Sequence, residues 1–108
     1  MYNEDLKKRF VRDYTGSLNT ANVAATVFNA VEKYETEWNA DLCTKSTEEL
    51  QPVIDEIVGL RSRSKWMTLT ILKEYVKWCI AMKVPGACDG MLHIEAVGLD
   101  KIRHQMVS

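Results

Sequence analysis

The sequence predicts an all-α fold in a single domain. Apolar residues recur at steps of three and four along four segments, which is the period of one face of a helix. Residues that cap helices stand at the starts of these segments, and Gly16, Gly59 and Pro85-Gly86 stand near their ends. A length of 108 residues suits one domain with a modest hydrophobic core.

The first helix is expected over residues 3–13. Asn3 is the expected N-cap, and Leu6, Phe10 and Tyr14 form an apolar stripe at four-residue steps. The cations of this segment are expected on the other, solvated face, with a phosphate-binding face as the alternative. These cations are Lys7, Lys8, Arg9 and Arg12.

The second helix is expected to begin at Asn19 or Thr20 and to end near Trp38. Its apolar stripe is made of Val23, Val27, Ala30, Val31, Tyr34 and Trp38. Phe28 lies off this stripe, so the helix is expected to be buried on two sides.

A short connection over residues 39–45 should place Leu42 in the core. Ser46-Thr47-Glu48-Glu49 then reads as a capping box, in which a serine is followed three residues later by a glutamate. The third helix is expected over about residues 47–59. Pro52 should kink this helix or move its start towards Gln51, because proline lacks the backbone N–H.

The fourth helix is expected within residues 61–83, with Ser62 or Ser64 as its N-cap. Its apolar arc is wide, which is typical of a helix at the centre of a bundle. Beyond it, an apolar patch at residues 91–94 should pack back on the core, and residues 99–107 should form a short C-terminal helix. Because Ser108 falls inside that helical pattern, we expect a fragment of a longer protein.

Composition and motifs disfavour several functions. The three cysteines are odd in number and lack CxxC spacing, which argues against a disulfide framework or zinc site and for reduced thiols in a cytoplasm. The two histidines lie on different expected elements, and no glycine-rich phosphate loop is present. We therefore expect no catalysis by this chain alone, no metal or other cofactor and no small-molecule substrate. No apolar run approaches the ~20 residues of a membrane span, so no membrane partner is expected.

The basic start of the fourth helix is the one candidate site. A helix N-terminus carries free N–H groups and a partial positive charge, both of which favour an anion. Thr68 is expected one turn further along, on the same exposed side. The alternative is an ordinary solvated cap. The cations and hydroxyls that alternate here are Arg61, Ser62, Arg63, Ser64 and Lys65.

The chain resembles the N-terminal core-binding, SAM-like domain of the tyrosine recombinases, the phage-integrase family. The resemblance rests on TANVAATVFNAVEKYE at 20–35, DLCTKSTEELQPVI at 41–54 and LRSRSKWMTLTILKEYVKWCI at 60–80. It includes the Tyr75, Trp78 and Cys79 centre of the fourth helix.

This resemblance implies a four-helix bundle of two crossed helix pairs that forms one half of a clamp around double-stranded DNA. It implies a second partner, the C-terminal recombinase domain of the same parent chain, which supplies the catalytic tyrosine. The second and fourth helices would face the DNA. By matching position, the implied contact residues are Arg61, Arg63, Ser64, Lys65 and Thr68, and more weakly Thr20, Asn22, Lys73 and Lys77.

A formal net charge of −1 argues mildly against a strongly basic nucleic-acid binder, although local patches decide such contacts. The alternative function is therefore an all-helical protein-interaction domain of a phage-derived regulator without recombinase activity.

Overall fold

The computed structural model describes residues 1–14, 18–60 and 65–94, and for residues 18–21, 58–60 and 65–67 it describes the backbone only. The described residues fold into four α-helices and no strand, so the all-α prediction is confirmed. The helices are α1 (Glu4–Tyr14), α2 (Leu18–Trp38), α3 (Thr47–Leu60) and α4 (Lys65–Ala81). Two 3₁₀ turns, at Leu42–Thr44 and Gly90–His93, follow α2 and α4. The expected helix at 99–107 lies outside the described residues.

The start of α3 is the capping box that the sequence predicts. The backbone N–H of Glu49 donates to Ser46 Oγ at 3.3 Å, and the N–H of Ser46 donates to Glu49 Oε1 at 3.4 Å. The helix continues through Pro52, which is exposed, so the alternative start near Gln51 is wrong. The capping box fixes the start because it satisfies N–H groups that would otherwise lack partners.

Asn3 directly precedes α1, which begins at Glu4. Its backbone φ is 53°, and its side-chain amide donates to Asp41 Oδ2 at 3.2 Å. Asn3 thus holds the expected N-cap position, where its carbonyl accepts from the N–H groups of Leu6 and Lys7 at 3.1 and 3.2 Å, and its amide ties the start of α1 to the connection after α2.

The core is centred on α4, which contacts the other three helices and both 3₁₀ turns. Tyr75 is fully buried and meets the rings of Phe28 and Phe10 at centroid distances of 5.1 and 5.3 Å. These edge-on contacts are the preferred arrangement of aromatic pairs. Phe28 is buried although it lies off the main stripe of α2, as the sequence predicts.

The two 3₁₀ turns close one end of the bundle. Leu42 in the first turn and Met91 in the second are both buried, as expected. The hydroxyl of Thr47 donates to the carbonyl of Gly90 at 2.8 Å, which joins the start of α3 to the second turn. A Cβ atom on Gly90 would lie 2.3 Å from the carbonyl oxygen of Lys45, closer than packed atoms approach.

Replacing Gly90 by alanine is expected to destabilise the fold by several kcal/mol, because backbone atoms must move to admit the methyl group. Gly86→Ala is the matched control. Its Cβ would meet the side chain of Thr44, whose methyl carbon lies at 3.2 Å, although a φ of 80° still disfavours alanine there. Denaturant unfolding should rank the Gly90 variant as clearly less stable; equal losses would contradict the close approach.

Candidate nucleic-acid interface

The predicted DNA-contact residues fall into three groups in the structure. Arg61, Arg63 and Ser64 lie outside the described residues, between α3 and α4. Thr20 and Lys65 lie within α2 and α4, where only the backbone is described. The side chains of the remaining four, Asn22, Thr68, Lys73 and Lys77, are described.

Thr68 does not lie on an exposed side. It is only 1% exposed, and its Oγ1 has no hydrogen-bond partner in the described part of the chain. The expectation that it reaches towards a groove is therefore wrong. Leu69, Ile71 and Leu72, which follow it, are buried as well. Thr68 is buried with them because the apolar arc of α4 is wide enough to include its position.

The side chains of Asn22, Lys73 and Lys77 are at least partly accessible to solvent. Asn22 is exposed near the start of α2, and Lys73 is half-buried in the middle of α4. Lys77 is exposed, and its Nζ lies 3.4 Å from Glu74 Oε1. Exposed pairs of this kind contribute little to stability, so Lys77 can exchange its partner for another anion at little cost.

Charge is distributed unevenly between α3 and α4. The α4 segment carries three lysines and a single glutamate, and the α3 segment carries four acids and no cation. All four acids are exposed: Glu48, Glu49, Asp55 and Glu56. The near-neutral total thus conceals an acidic outer face on α3, which would repel phosphates, and a cationic excess along α4.

Lys7 is the largest departure from the sequence analysis. It was expected on a solvated face, but its side chain is fully buried. Its Nζ lies 2.8 Å from Glu35 Oε2 and 3.1 Å from Asp41 Oδ2, and it donates to the carbonyl of Tyr2 at 2.6 Å. Burying a charge is costly unless it is paired and hydrogen-bonded, and Lys7 meets both conditions.

Asp41 accepts more hydrogen bonds than Glu35, the other carboxylate that Lys7 contacts. Its Oδ2 also accepts from the Tyr75 hydroxyl at 2.8 Å, and its Oδ1 accepts from the backbone N–H of Cys43 at 3.0 Å. Burial alone would raise the pKa of Asp41, but the charge of Lys7 and these two hydrogen bonds outweigh burial and lower it. Asp41 therefore remains an anion at neutral pH.

Glu35 accepts two hydrogen bonds, both at the same oxygen. Its Oε2 accepts from Lys7 and from the backbone N–H of Leu42, whereas its Oε1 is buried and has no hydrogen-bond partner among the described residues. Burial and the nearby charge of Asp41 raise the pKa of Glu35 to about 7, against the opposing effect of Lys7. Lys7 thus faces two carboxylates. Glu35 accepts fewer hydrogen bonds than Asp41, and it is the carboxylate whose pKa rises.

This Lys7–Glu35–Asp41–Tyr75 cluster joins α1, α2, the following connection and α4, and sequence reasoning missed it. A signal was present. Lys7 lies three residues before buried Phe10, and Glu35 lies four residues after buried Val31, so each charge occupies a core-facing position of its helix. Opposite charges at two core-facing positions indicate a buried pair.

Trp78 and Trp38 border the core rather than forming an open platform for bases. Both are half-buried and pack against buried residues. The guanidinium of Arg9 lies 6.0 Å from the centre of the Trp78 ring, and Lys45 Nζ lies 5.4 Å from that of Trp38. Each ring therefore has a cation within cation–π distance of its centre.

Among the described residues, no group of three or more histidine, cysteine or carboxylate side chains is arranged to hold a metal ion. His93 is exposed and faces Asp89 at 3.0 Å; His104 lies outside the described residues. No described helix has the length and apolar character needed to cross a bilayer.

A family model described as "MrpR, N-terminal core-binding domain" matches residues 1–81. The chain belongs to this family. The match covers three quarters of the 108 residues and ends where α4 ends, at Ala81. No curated protein and no solved structure matches the chain significantly.

Membership identifies the four helices as a core-binding domain. All nine residues predicted to contact DNA lie within the matched residues 1–81, whereas the second 3₁₀ turn lies beyond them.

Proposed function

We propose that this chain is the DNA-binding module of a phage integrase-like site-specific recombinase. It would clamp duplex DNA through phosphate and groove contacts in the cytoplasm and would catalyse nothing by itself. The observation that carries the proposal is the family match over residues 1–81 to a core-binding domain. In the tyrosine recombinases that the sequence resembles, this domain forms one half of the clamp.

The proposed contact surface runs from the segment before α4 along α4 itself. Arg61, Arg63, Ser64 and Lys65 would bind phosphates at the helix start, where free N–H groups and the helix dipole also favour anions. The cationic excess of α4 supports this side over the acidic face of α3. Lys73 and Lys77, with Thr20 and Asn22 of α2, would extend the surface. Thr68 is left out because it is buried.

The proposal includes a second partner, the recombinase domain of the same parent chain. Ile80 and Met82, at and just after the end of α4, are 40% and 47% exposed. Large apolar side chains in such positions suit a contact with another domain. The alternative, a protein-interaction domain of a regulator without recombinase activity, would use the same side chains.

DNA binding is expected to be weak, dependent on salt and nearly independent of sequence, because half of the clamp is missing. Titration of a labelled duplex at low and moderate salt should give an affinity that falls steeply with ionic strength. The double variant Arg61→Ala/Arg63→Ala should bind more weakly, with a log–log salt slope that is smaller by about two.

Lys8→Ala/Lys33→Ala is the matched control, since it removes the same charge from exposed positions on α1 and the second half of α2. It should bind nearly as wild type. Loss of binding in both double variants would indicate an effect of net charge alone. An absence of binding at low salt would overturn the proposal and favour the protein-interaction alternative.

A further inference from the structure

An arginine of α1 lies against a tryptophan of α4, beside the cations of the proposed interface. The guanidinium carbon of Arg9 is 6.0 Å from the centre of the Trp78 ring, which is within reach of a cation–π contact. Phe10, the next residue, is buried and meets the same ring at a centroid distance of 5.8 Å, so core packing fixes this contact between the two helices. Trp78 directly follows Lys77, and α1 therefore adds a cation next to a lysine that is proposed to bind DNA.

The charge of Arg9 is not taken up by an ion pair within the described part of the chain. Asp5 and Asp13 lie four residues before and after it, where opposite charges on a helix commonly pair. Among the described residues, however, neither aspartate nor any other carboxylate forms an ion pair with Arg9. Its neighbour Lys8 does pair, with Glu4 at 2.9 Å. Arg9 is therefore an exposed cation that a ring holds in place and that is available to an external anion.

We propose that Arg9 contacts the phosphate backbone of the duplex that α4 binds, beside Lys77. A guanidinium suits this role because its planar N–H groups can donate two parallel hydrogen bonds to phosphate oxygens. The Trp78 ring restricts the guanidinium before DNA arrives, so less side-chain freedom is lost on binding. The inference rests on the proposed DNA binding and deepens it by adding α1 to the contact surface.

A second pair of cation and tryptophan in the same domain provides the comparison. Lys45 Nζ lies 5.4 Å from the centre of the Trp38 ring, but it also lies 3.3 Å from Glu49 Oε2. Glu49 belongs to the acidic face of α3, which would repel a phosphate. The α4 segment beside Arg9 instead carries an excess of lysines. We therefore expect Trp78, and not Trp38, to lie at the DNA.

The first test titrates a short labelled duplex with the intact chain from low to moderate salt. Arg9→Ala should bind about tenfold more weakly at low salt, with a log–log salt slope smaller by about one, the value for a single phosphate contact. Arg9→Lys keeps the charge, so it should retain the wild-type salt slope. Lys8→Ala is the matched control: it removes the same charge from the neighbouring exposed position, where the lysine is paired, and should bind nearly as wild type.

A second readout needs no substitution and follows the two tryptophans of the wild-type chain. The indole N–H resonance of Trp78 should shift when duplex is added at low salt, because DNA would lie beside its ring. The indole resonance of Trp38, which faces Lys45 and the start of α3, should stay in place. A Trp38 resonance that shifts more than that of Trp78 would contradict the proposed position of the duplex.

The outcomes separate this inference from the proposed function. If the wild-type chain binds duplex and Arg9→Ala matches it in affinity and salt slope, the inference is wrong and the proposed function stands. Equal losses in Arg9→Ala and Lys8→Ala would also overturn the inference, since net charge would then account for both. If the wild-type chain binds no duplex at low salt, the proposed function fails and the Arg9 contact fails with it.

Discussion

Replacing Lys7 by methionine is expected to destabilise the fold by about 3–5 kcal/mol, because it leaves buried carboxylates without their cation. Methionine keeps most of the volume of the lysine stem, so the loss reports the charge rather than a cavity. The midpoint of thermal unfolding should fall by at least about 12 °C. This is a large share of the stability of a domain of 108 residues.

Lys8→Met is the matched control. Lys8 is exposed and pairs with Glu4 one turn earlier, so this variant should unfold close to wild type. Adding Glu35→Gln to Lys7→Met should recover part of the loss, because only Asp41 then remains as an unpaired buried charge. A Lys7→Met variant as stable as Lys8→Met would contradict the buried position of Lys7.

Stability is expected to fall by on the order of 3 kcal/mol as pH rises from about 4.5 through about 7. The reason is that the pKa of Glu35 rises on folding from an ordinary value of 4.5 to about 7. In this window the folded state holds a proton that the unfolded chain releases, so the contribution of Glu35 is complete below pH 4.5 and is lost above 7. Chemical unfolding across this pH range measures the slope.

Asp41 has the opposite effect on stability, and the effect appears at lower pH. Its pKa is lowered on folding, so its contribution is present above its ordinary value of 3.8 and is lost in acid. Stability should therefore be greatest between these two transitions. Glu35→Gln should remove the fall between pH 4.5 and 7 while leaving the acid limb in place. An unchanged slope in Glu35→Gln would show that another group carries the proton.

The sequence predicts the helices well because their signals are local. The period of the apolar residues places α2, α3 and α4, and the Ser46–Glu49 capping box fixes one start within a residue. Tyr75 at the centre of the core follows from the width of the apolar arc on α4.

The charge cluster and the position of Thr68 could not be predicted as readily because they depend on packing between elements. A lysine is normally placed on a solvated face, and only its pairing with Glu35, 28 residues away, makes burial tolerable. Thr68 has a polar side chain, but it lies within the apolar arc that α4 buries against the other helices. In both cases tertiary contacts override the residue type.

The cluster and the proposed interface are connected through α4. Tyr75 ties the middle of α4 to Asp41, and through Asp41 to Lys7 on α1. Lys73 and Lys77 flank Tyr75 on the same helix, so the contacts that fix Tyr75 also fix the helix that presents these two cations.

The measurement that tests the central claim most directly is amide chemical-shift mapping of the intact chain with a short duplex at low salt. We expect the largest shifts at Asn22, Lys73 and Lys77, together with residues 61–65, and little change at Glu48 and Asp55 on the acidic face of α3. Larger shifts on α3 than on α4, or none anywhere on adding DNA, would contradict the account.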